Sequence, residues 1–523
     1  GKMTKHYSNG QELSAKILNG INKLADNVAT TLGPKGRNVI LFHREQGIPV
    51  ITKDGVTVAK FVEFEDHFEN VGAQIVKQAA EQSASKAGDG TTTATVLTRA
   101  ILRESQKYLS AGVSPIEVKR GMDKAATTIV DRLKEMATPI RSEEDIRHVA
   151  TISANNDKTI GTLISTAVDQ AGKDGSVLVE EARSINTSLD LIEGFRFDSG
   201  YLSSTFINNE RNGTVEYNNP LILVTDEKVE TIEQILPTLE LASRDNSPLV
   251  IVADMEGQAL AAVIANAVRG TMKVVAVKPP RYGEERRNIL KDICSSTGAT
   301  FVTRESGLNL RAVNMTMFGH SKSISMNKGW TTIVGGKGSE EDIETKIEAL
   351  KAEIQQTDDI KACERIQERI TRLASGVAVI RVGAATEVEM LEKKHRIDDA
   401  LEAVRSAQEE GIVAGGGTAL LRATQGLKIQ TNSEDQEIGV RIVFQAIEEP
   451  LRQMAKNAGK SADIVVDMVR RQDNDWGYNF LTDEPVNMLE AGIIDPVKVT
   501  RCALQNAISV ASTLITTSHA IVS

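Results

Sequence analysis

The chain has 523 residues, more than one hydrophobic core usually serves, so two or three domains are expected. Hydrophobic residues at 41% and charged residues at 25% give a globular balance, while aromatics at 4% leave the core to aliphatic packing. A net charge of -10 without basic clusters excludes a phosphate-tracking nucleic-acid surface, and three scattered cysteines exclude a disulfide framework or a cysteine-based zinc site.

From the N-terminus, Leu13, Ile17, Ile21, Leu24 and Val28 repeat at helical spacing until Gly33-Pro34 stops the pattern. Extended segments follow at 38–42 and 49–52. Asp54-Gly55 then reads equally as a hairpin turn or as the cap of a short helix. Helical patterns resume over 71–87, 95–109 and 115–136. After a break at Thr138-Pro139-Ile140, Ser142-Glu143-Glu144-Asp145 has the form of a capping box opening another helix. Beyond Glu193 short β runs at 221–225, 249–253, 274–277 and 300–303 alternate with helical windows, the grammar of an α/β domain. Apolar stripes recur there at Ile232, Ile235, Leu236 and Leu239, and at Leu260, Val263, Ile264 and Ala267; by spacing alone they read as ordinary core. Residues 341–373 predict an antiparallel helix pair broken at 357–359. A strand at 377–382 and a helix at 386–410 lead to a glycine run at 415–417. Helix-dominated sequence continues to about residue 515, so helical ends enclose an α/β middle.

The stretch Gly88-Asp89-Gly90-Thr91-Thr92-Thr93 sets one carboxylate among glycines and hydroxyls just before a helix. Glycines let backbone N–H groups approach an anion, threonines donate to oxygens, and the helix N-terminus carries partial positive charge. Asp89 offers a hard oxygen ligand for magnesium. Taken alone, the stretch reads as well as a polar turn capping a helix. Gly459-Lys460-Ser461 resembles the end of a Walker A loop, but Met454 stands where its first glycine belongs. No apolar run approaches the roughly 18 residues of a membrane span, and the polar N-terminus lacks a signal-peptide core, so a cytoplasmic location is expected.

Thr31-Leu32-Gly33-Pro34-Lys35-Gly36-Arg37-Asn38, Thr52-Lys53-Asp54-Gly55, the Gly88 to Thr93 stretch and Val413-Ala414-Gly415-Gly416-Gly417 resemble the group I chaperonins, the family of bacterial GroEL. Gly383-Ala384-Ala385-Thr386-Glu387-Val388-Glu389-Met390, Tyr478-Asn479 and Asp495-Pro496 follow in the same order, so the resemblance runs through nearly the whole chain. It implies a multidomain α+β and α/β fold. A mostly helical equatorial ATPase domain would form from 1–135 and 410–523, a hinged intermediate domain from 136–192 and 378–409, and an inserted α/β apical domain from 193–377.

The resemblance further implies ATP, magnesium and potassium. Nucleotide contacts would come from Thr31, Leu32, Gly33, Pro34, Lys53, Asp89, Gly90, Thr91, Thr92, Thr93, Gly416, Asn479, Phe480, Leu481 and Asp495. Asp89 would hold magnesium, and the backbone carbonyls of Thr31 and Lys53 potassium. Asp54 and Asp399 would place and polarise the attacking water. Non-native polypeptides and a co-chaperonin lid would meet Tyr201, Ser203, Phe206, Leu236, Leu239, Leu260 and Ile264, in a seven-membered ring, single or double. The chain departs from the family at Thr205 and Ala265, where a larger aromatic and a valine are usual, and at Phe480, where a small residue is usual. Ser461 replaces an acidic residue that faces Arg452 across the ring-ring interface, although the Lys107 and Glu434 pair remains. The chain ends at Ser523 without the family's common Gly-Met tail.

Overall fold

Spacing of three and four between apolar residues becomes helix at both ends of the chain. The computed structural model describes residues 4–87, 90–172 and 176–523. The helix Gly10–Ala29 buries Leu13, Ile17, Ile21, Leu24 and Val28, the stripe expected from the sequence. His67–Ala87 and Thr91–Leu109 pack on it, and Pro115–Met136, Glu434–Ala446, Glu449–Asn457 and Val497–Ile515 join the same core. Their shared core is aliphatic, and it belongs to a compact unit made of 1–165 and 395–523. Glycines let helices in this unit meet backbone to backbone: a Cβ on Gly121 would lie 1.9 Å from the Gln436 carbonyl, and one on Gly439 would lie 2.2 Å from that of Val118. An alanine at either place would drive Pro115–Met136 and Glu434–Ala446 apart.

Short two-stranded sheets decorate this unit. His6–Asn9 runs antiparallel to His519–Val522, joining the first and last strands. The two expected extended segments are the strands Val39–Phe42 and Pro49–Thr52, which pair antiparallel. Ile412–Ala414 pairs with Ile494–Pro496, and Trp476–Asn479 with Glu484–Asn487. The alternatives at Asp54 resolve to a helix cap. Its side chain accepts from the Val56 N–H and opens the helix Gly55–Phe61.

The capping box read at Ser142 does not form. The helix begins at Glu143 as expected, but the Ser142 side chain makes no cap bond. Asp145 instead accepts from the Arg141 backbone N–H at 2.9 Å and from its guanidinium at 3.1 and 3.0 Å. The carboxylate that would reach back to the Ser142 N–H is thus taken up by a forked, charge-assisted pair with Arg141.

Residues 166–394 form the second compact unit, built on a ten-stranded sheet. Leu221–Thr225, Leu249–Val252 and Val274–Val277 run parallel and are buried throughout, as continuous Val, Ile and Leu runs require of strands covered on both faces. Helices Ile232–Asp245, Gly257–Arg269 and Gly283–Thr297 belong to this layer. The sheet continues through Gly319–Met326, Thr331–Gly336 and Ser188–Phe197 as an antiparallel series, then Gly376–Val382 and Ser176–Glu181. The expected helix pair is Glu340–Gln356 and Ile360–Ala374, with a small core of Leu350, Ile366 and Ile370. One fully buried carboxylate, Asp292, ties the pair down: it accepts from Arg369 through two bonds of 2.9 Å and from Lys346 at 2.9 Å.

Candidate functional site

Where the first helix ends, its backbone turns on Thr31-Leu32-Gly33-Pro34. The Thr31 N–H and hydroxyl both donate to the Val28 carbonyl, at 3.1 and 2.7 Å, and Gly33 takes φ +81°, which only glycine adopts without strain. Thr31 is buried, and Leu32, Gly33 and Pro34 are half-buried. The next segment brings up Lys53, whose ammonium burial holds below its usual pKa, and Asp54. The Asp54 carboxylate is fixed by bonds from the Val56 N–H at 3.4 Å and the Thr57 hydroxyl at 2.6 Å.

The decisive geometry lies at Gly55. A Cβ there would stand 2.2 Å from the Thr92 hydroxyl and 3.5 Å from the Thr31 hydroxyl, so the missing side chain lets two hydroxyls from distant segments converge on the backbone beside Asp54. Gly90, at φ +103°, turns the chain into the helix Thr91–Leu109 and packs its Cα near Val499, 3.2 Å from where a Cβ would sit. The Thr91 hydroxyl donates to the Ala80 carbonyl at 3.3 Å, whereas Thr92 and Thr93 are half-buried at the helix start. Asp89, the expected magnesium ligand, lies outside the described residues. The hydroxyls and the carboxylate are hard oxygen groups, the kind that magnesium or potassium takes rather than a soft metal.

A second set of predicted residues gathers around the glycine run. A Cβ on Gly415 would lie 3.3 Å from Asp495 Oδ1, and one on Gly416, at φ +64°, 3.9 Å from the Tyr478 carbonyl. Asn479 follows directly, its side-chain oxygen accepting from the Leu481 N–H at 2.9 Å. Leu481 is exposed. The Phe480 ring is buried in the core with its centroid 4.9 Å from that of Tyr478, so its side chain packs inward.

One helix connects the two sets. On Glu449–Asn457, Met454 meets Gly33, its Cγ 2.9 Å from a Cβ built there, and Leu451 meets Gly417 at 3.1 Å. This helix lies within the stretch read as helix-dominated to about residue 515, and nothing in the sequence singled it out as a link between the two sets. Asp399 is carried separately, half-buried on Glu387–Glu410, whose inward positions are Ile397, Ala400, Leu401 and Val404.

In the second unit the predicted apolar surface splits. Leu236 is 44% exposed and Ile232 41%, while Leu260 and Ile264 are half-buried beside them on the neighbouring helix. Leu239 and Phe206 are corrections: at 6% and 3% exposure they belong to the core, because Leu239 shares the inward helix face with Ile235 and Ala242 and Phe206 is held in a tight turn. Tyr201 is half-buried and donates to the Gly213 carbonyl at 3.2 Å; the Ser203 hydroxyl caps the turn at Thr205.

The sequence model of the TCP-1/cpn60 chaperonin family matches residues 24–278 and 241–523. Two crystal structures of the chaperonin gp146 from the bacteriophage EL 2 (Pseudomonas aeruginosa), both in the presence of ATP-BeFx, share the fold. Crystal form II has a TM-score of 0.65 at 20% identity and crystal form I 0.62 at 19%, each match covering 99% of both chains. With its helical unit assembled from both ends around an inserted α/β unit, and the family's sequence pattern spanning both, the chain belongs to the TCP-1/cpn60 chaperonin family.

Proposed function

We propose that this chain is an ATP-hydrolysing chaperonin that binds non-native polypeptides and encloses them in a ring cavity. The observation that carries the reading is the close approach at Gly55, where the Thr31 and Thr92 hydroxyls converge on the backbone beside Asp54. The ATP-BeFx present with the gp146 chaperonin supports it. Gly90, Thr92, Thr93 and the turn from Thr31 to Pro34 would bind the phosphates, and Gly416, Asn479, Leu481 and Asp495 the base and ribose. Magnesium at Asp89 would neutralise charge that grows on the phosphates, and potassium would take the Thr31 and Lys53 carbonyls. Asp54 and Asp399 would orient the attacking water and accept its hydrogen bonds. In this reading 1–135 and 410–523 form the equatorial domain, 136–192 and 378–409 the intermediate domain, and 193–377 the apical domain.

Exposed Ile232 and Leu236 with half-buried Leu260 and Ile264 suit the capture of unfolded chains, since apolar contact scales with area and reads no sequence. Leu236→Ser is expected to weaken capture of a denatured client by about tenfold, at roughly 1.4 kcal/mol of lost apolar contact, with basal ATP turnover kept. Buried Leu239→Ser should instead lower stability by about 2–5 kcal/mol. Equal client binding by Leu236→Ser and the parent in a light-scattering assay would reject the surface.

A weakened ring-ring contact also belongs to the proposal. Arg452, which lacks an acidic residue at Ser461 to face, pairs within its own chain with Asp463 at 2.6 Å and Glu448 at 3.0 Å; Lys107 likewise pairs with Glu104 at 3.0 Å. Native mass spectrometry at low concentration should yield single seven-membered rings, and double rings alone would dismiss this point. An ATPase assay with magnesium and potassium, read beside negative-stain images, tests the whole. Turnover and rings are expected; a lone subunit without turnover overturns the reading, and a small oligomer stimulated by a defined acceptor would favour a small-molecule kinase.

A further inference from the structure

We infer that Asn457 is a positioning residue for nucleotide binding, its amide fixing the turn from Thr31 to Pro34 in the form that receives ATP. The inference rests on the ATP reading above and deepens it. A helix end leaves carbonyls without intrahelical partners, and the end of Gly10–Ala29 must dispose of them within the very turn proposed to touch the nucleotide. The backbone does part of this itself. The Leu32 N–H donates to the Ala29 carbonyl at 3.1 Å, the Arg37 N–H to that of Thr30 at 2.6 Å, and the Gly36 N–H to that of Gly33 at 3.0 Å.

Asn457 completes it from the far end of the sequence. Its Nδ2 donates to the Ala29 carbonyl and to the Leu32 carbonyl, each at 2.9 Å. One planar amide with two hydrogens thus clamps the carbonyl two residues before Thr31 and the one directly after it. Backbone rotation at Thr31 would break at least one of these bonds, so the Thr31 carbonyl and hydroxyl are held in a single orientation.

The amide is itself oriented. Gln453 Nε2 donates to Asn457 Oδ1 at 2.9 Å, which decides which end of the amide faces the turn. Gln453 Oε1 accepts from Arg99 at 3.5 Å, and Arg99 is a buried guanidinium that also donates to Asp26 at 2.5 Å. A chain from Asp26 through Arg99 and Gln453 to Asn457 therefore returns to the helix where it started, and Met454 packs on Gly33 from the same helix face. A side chain that only capped its own helix would bond locally; this one spans the chain to reach the turn.

Pre-setting a binding turn strengthens ground-state and transition-state binding alike, so its loss raises the half-saturating ATP concentration more than it slows saturated turnover. Full-length protein carrying Asn457→Asp, Asn457→Ala or Gln453→Leu would be assayed for steady-state ATP hydrolysis over a range of ATP, beside thermal unfolding. Asn457→Asp, which aims a carboxylate at two carbonyl oxygens, is expected to raise half-saturating ATP by about tenfold or more with saturated turnover within about twofold. Asn457→Ala and Gln453→Leu should each raise it by about threefold, and they carry the test if the Asp variant fails to fold. Half-saturation unmoved in all folded variants, or turnover and unfolding temperature falling together without it, overturns the inference. An unaltered protein that neither binds nor hydrolyses ATP overturns the ATP reading and this one with it, whereas normal ATP use by the unaltered protein and by every variant overturns this one alone.

Discussion

Replacing Asp399 by Ala is expected to slow saturated ATP turnover by about 10²-fold or more, while ATP affinity stays within about threefold. The reason lies in where the carboxylate is mounted. Asp399 sits half-buried on a long helix, Glu387–Glu410, between buried Asp398 and Ala400 and one turn before buried Ala403. Every candidate phosphate contact, by contrast, comes from the turn at Thr31, the segment at Gly55 or the helix start at Thr91. Removing Asp399 therefore leaves the proposed binding surface intact and deletes only a group that would act on the water. Asp54 gives the control, since its carboxylate caps Gly55–Phe61 and its loss should perturb both binding and turnover. Single-turnover hydrolysis measured with radiolabelled ATP separates the two effects. Normal turnover in Asp399→Ala would remove this residue from the mechanism.

Asp292→Ala should lower stability by about 3–5 kcal/mol, the range for breaking a buried ion pair from one side. Asp292 is fully buried on Gly283–Thr297 and holds both Arg369 and Lys346, which come from the two helices of the following pair. Deleting it strands two cations, one of them only 15% exposed at its side chain. Arg369 shows the balance in its own ionisation: burial pulls its pKa down, and the Asp292 bonds and charge more than restore it. Differential scanning calorimetry should show an earlier transition assigned to the 166–394 unit. The double variant Asp292→Leu with Arg369→Met should recover much of the loss, because replacing a whole buried pair by apolar groups is often near neutral. An Asp292→Ala protein that melts with the parent would remove the cluster from the stability account.

Much of this architecture was legible where periodicity is strong. The stripe from Leu13 to Val28, the buried parallel strands and the helix pair after Glu340 each follow from apolar spacing, and local spacing needs no tertiary knowledge. Choices decided by a distant partner were not legible. Ser142 looked like a cap until Arg141 took Asp145, and Leu239 could not be told from Leu236 until the core chose a helix face. The site was legible as motifs, yet its closure was not. Asn457 reads as the polar end of a short helix, and only folding places it across from Ala29 and Leu32.

The unit made of 1–165 and 395–523 closes only when its late segments exist, since Val497–Ile515 packs on Thr91–Leu109 and His519–Val522 pairs with His6–Asn9. During synthesis the faces of Thr91–Leu109 and Pro115–Met136 that Val497–Ile515 and Glu434–Ala446 will cover must therefore wait, while the continuous 166–394 unit can fold as soon as it leaves the ribosome. A protein proposed to shelter unfinished chains thus passes through a long unfinished stage of its own.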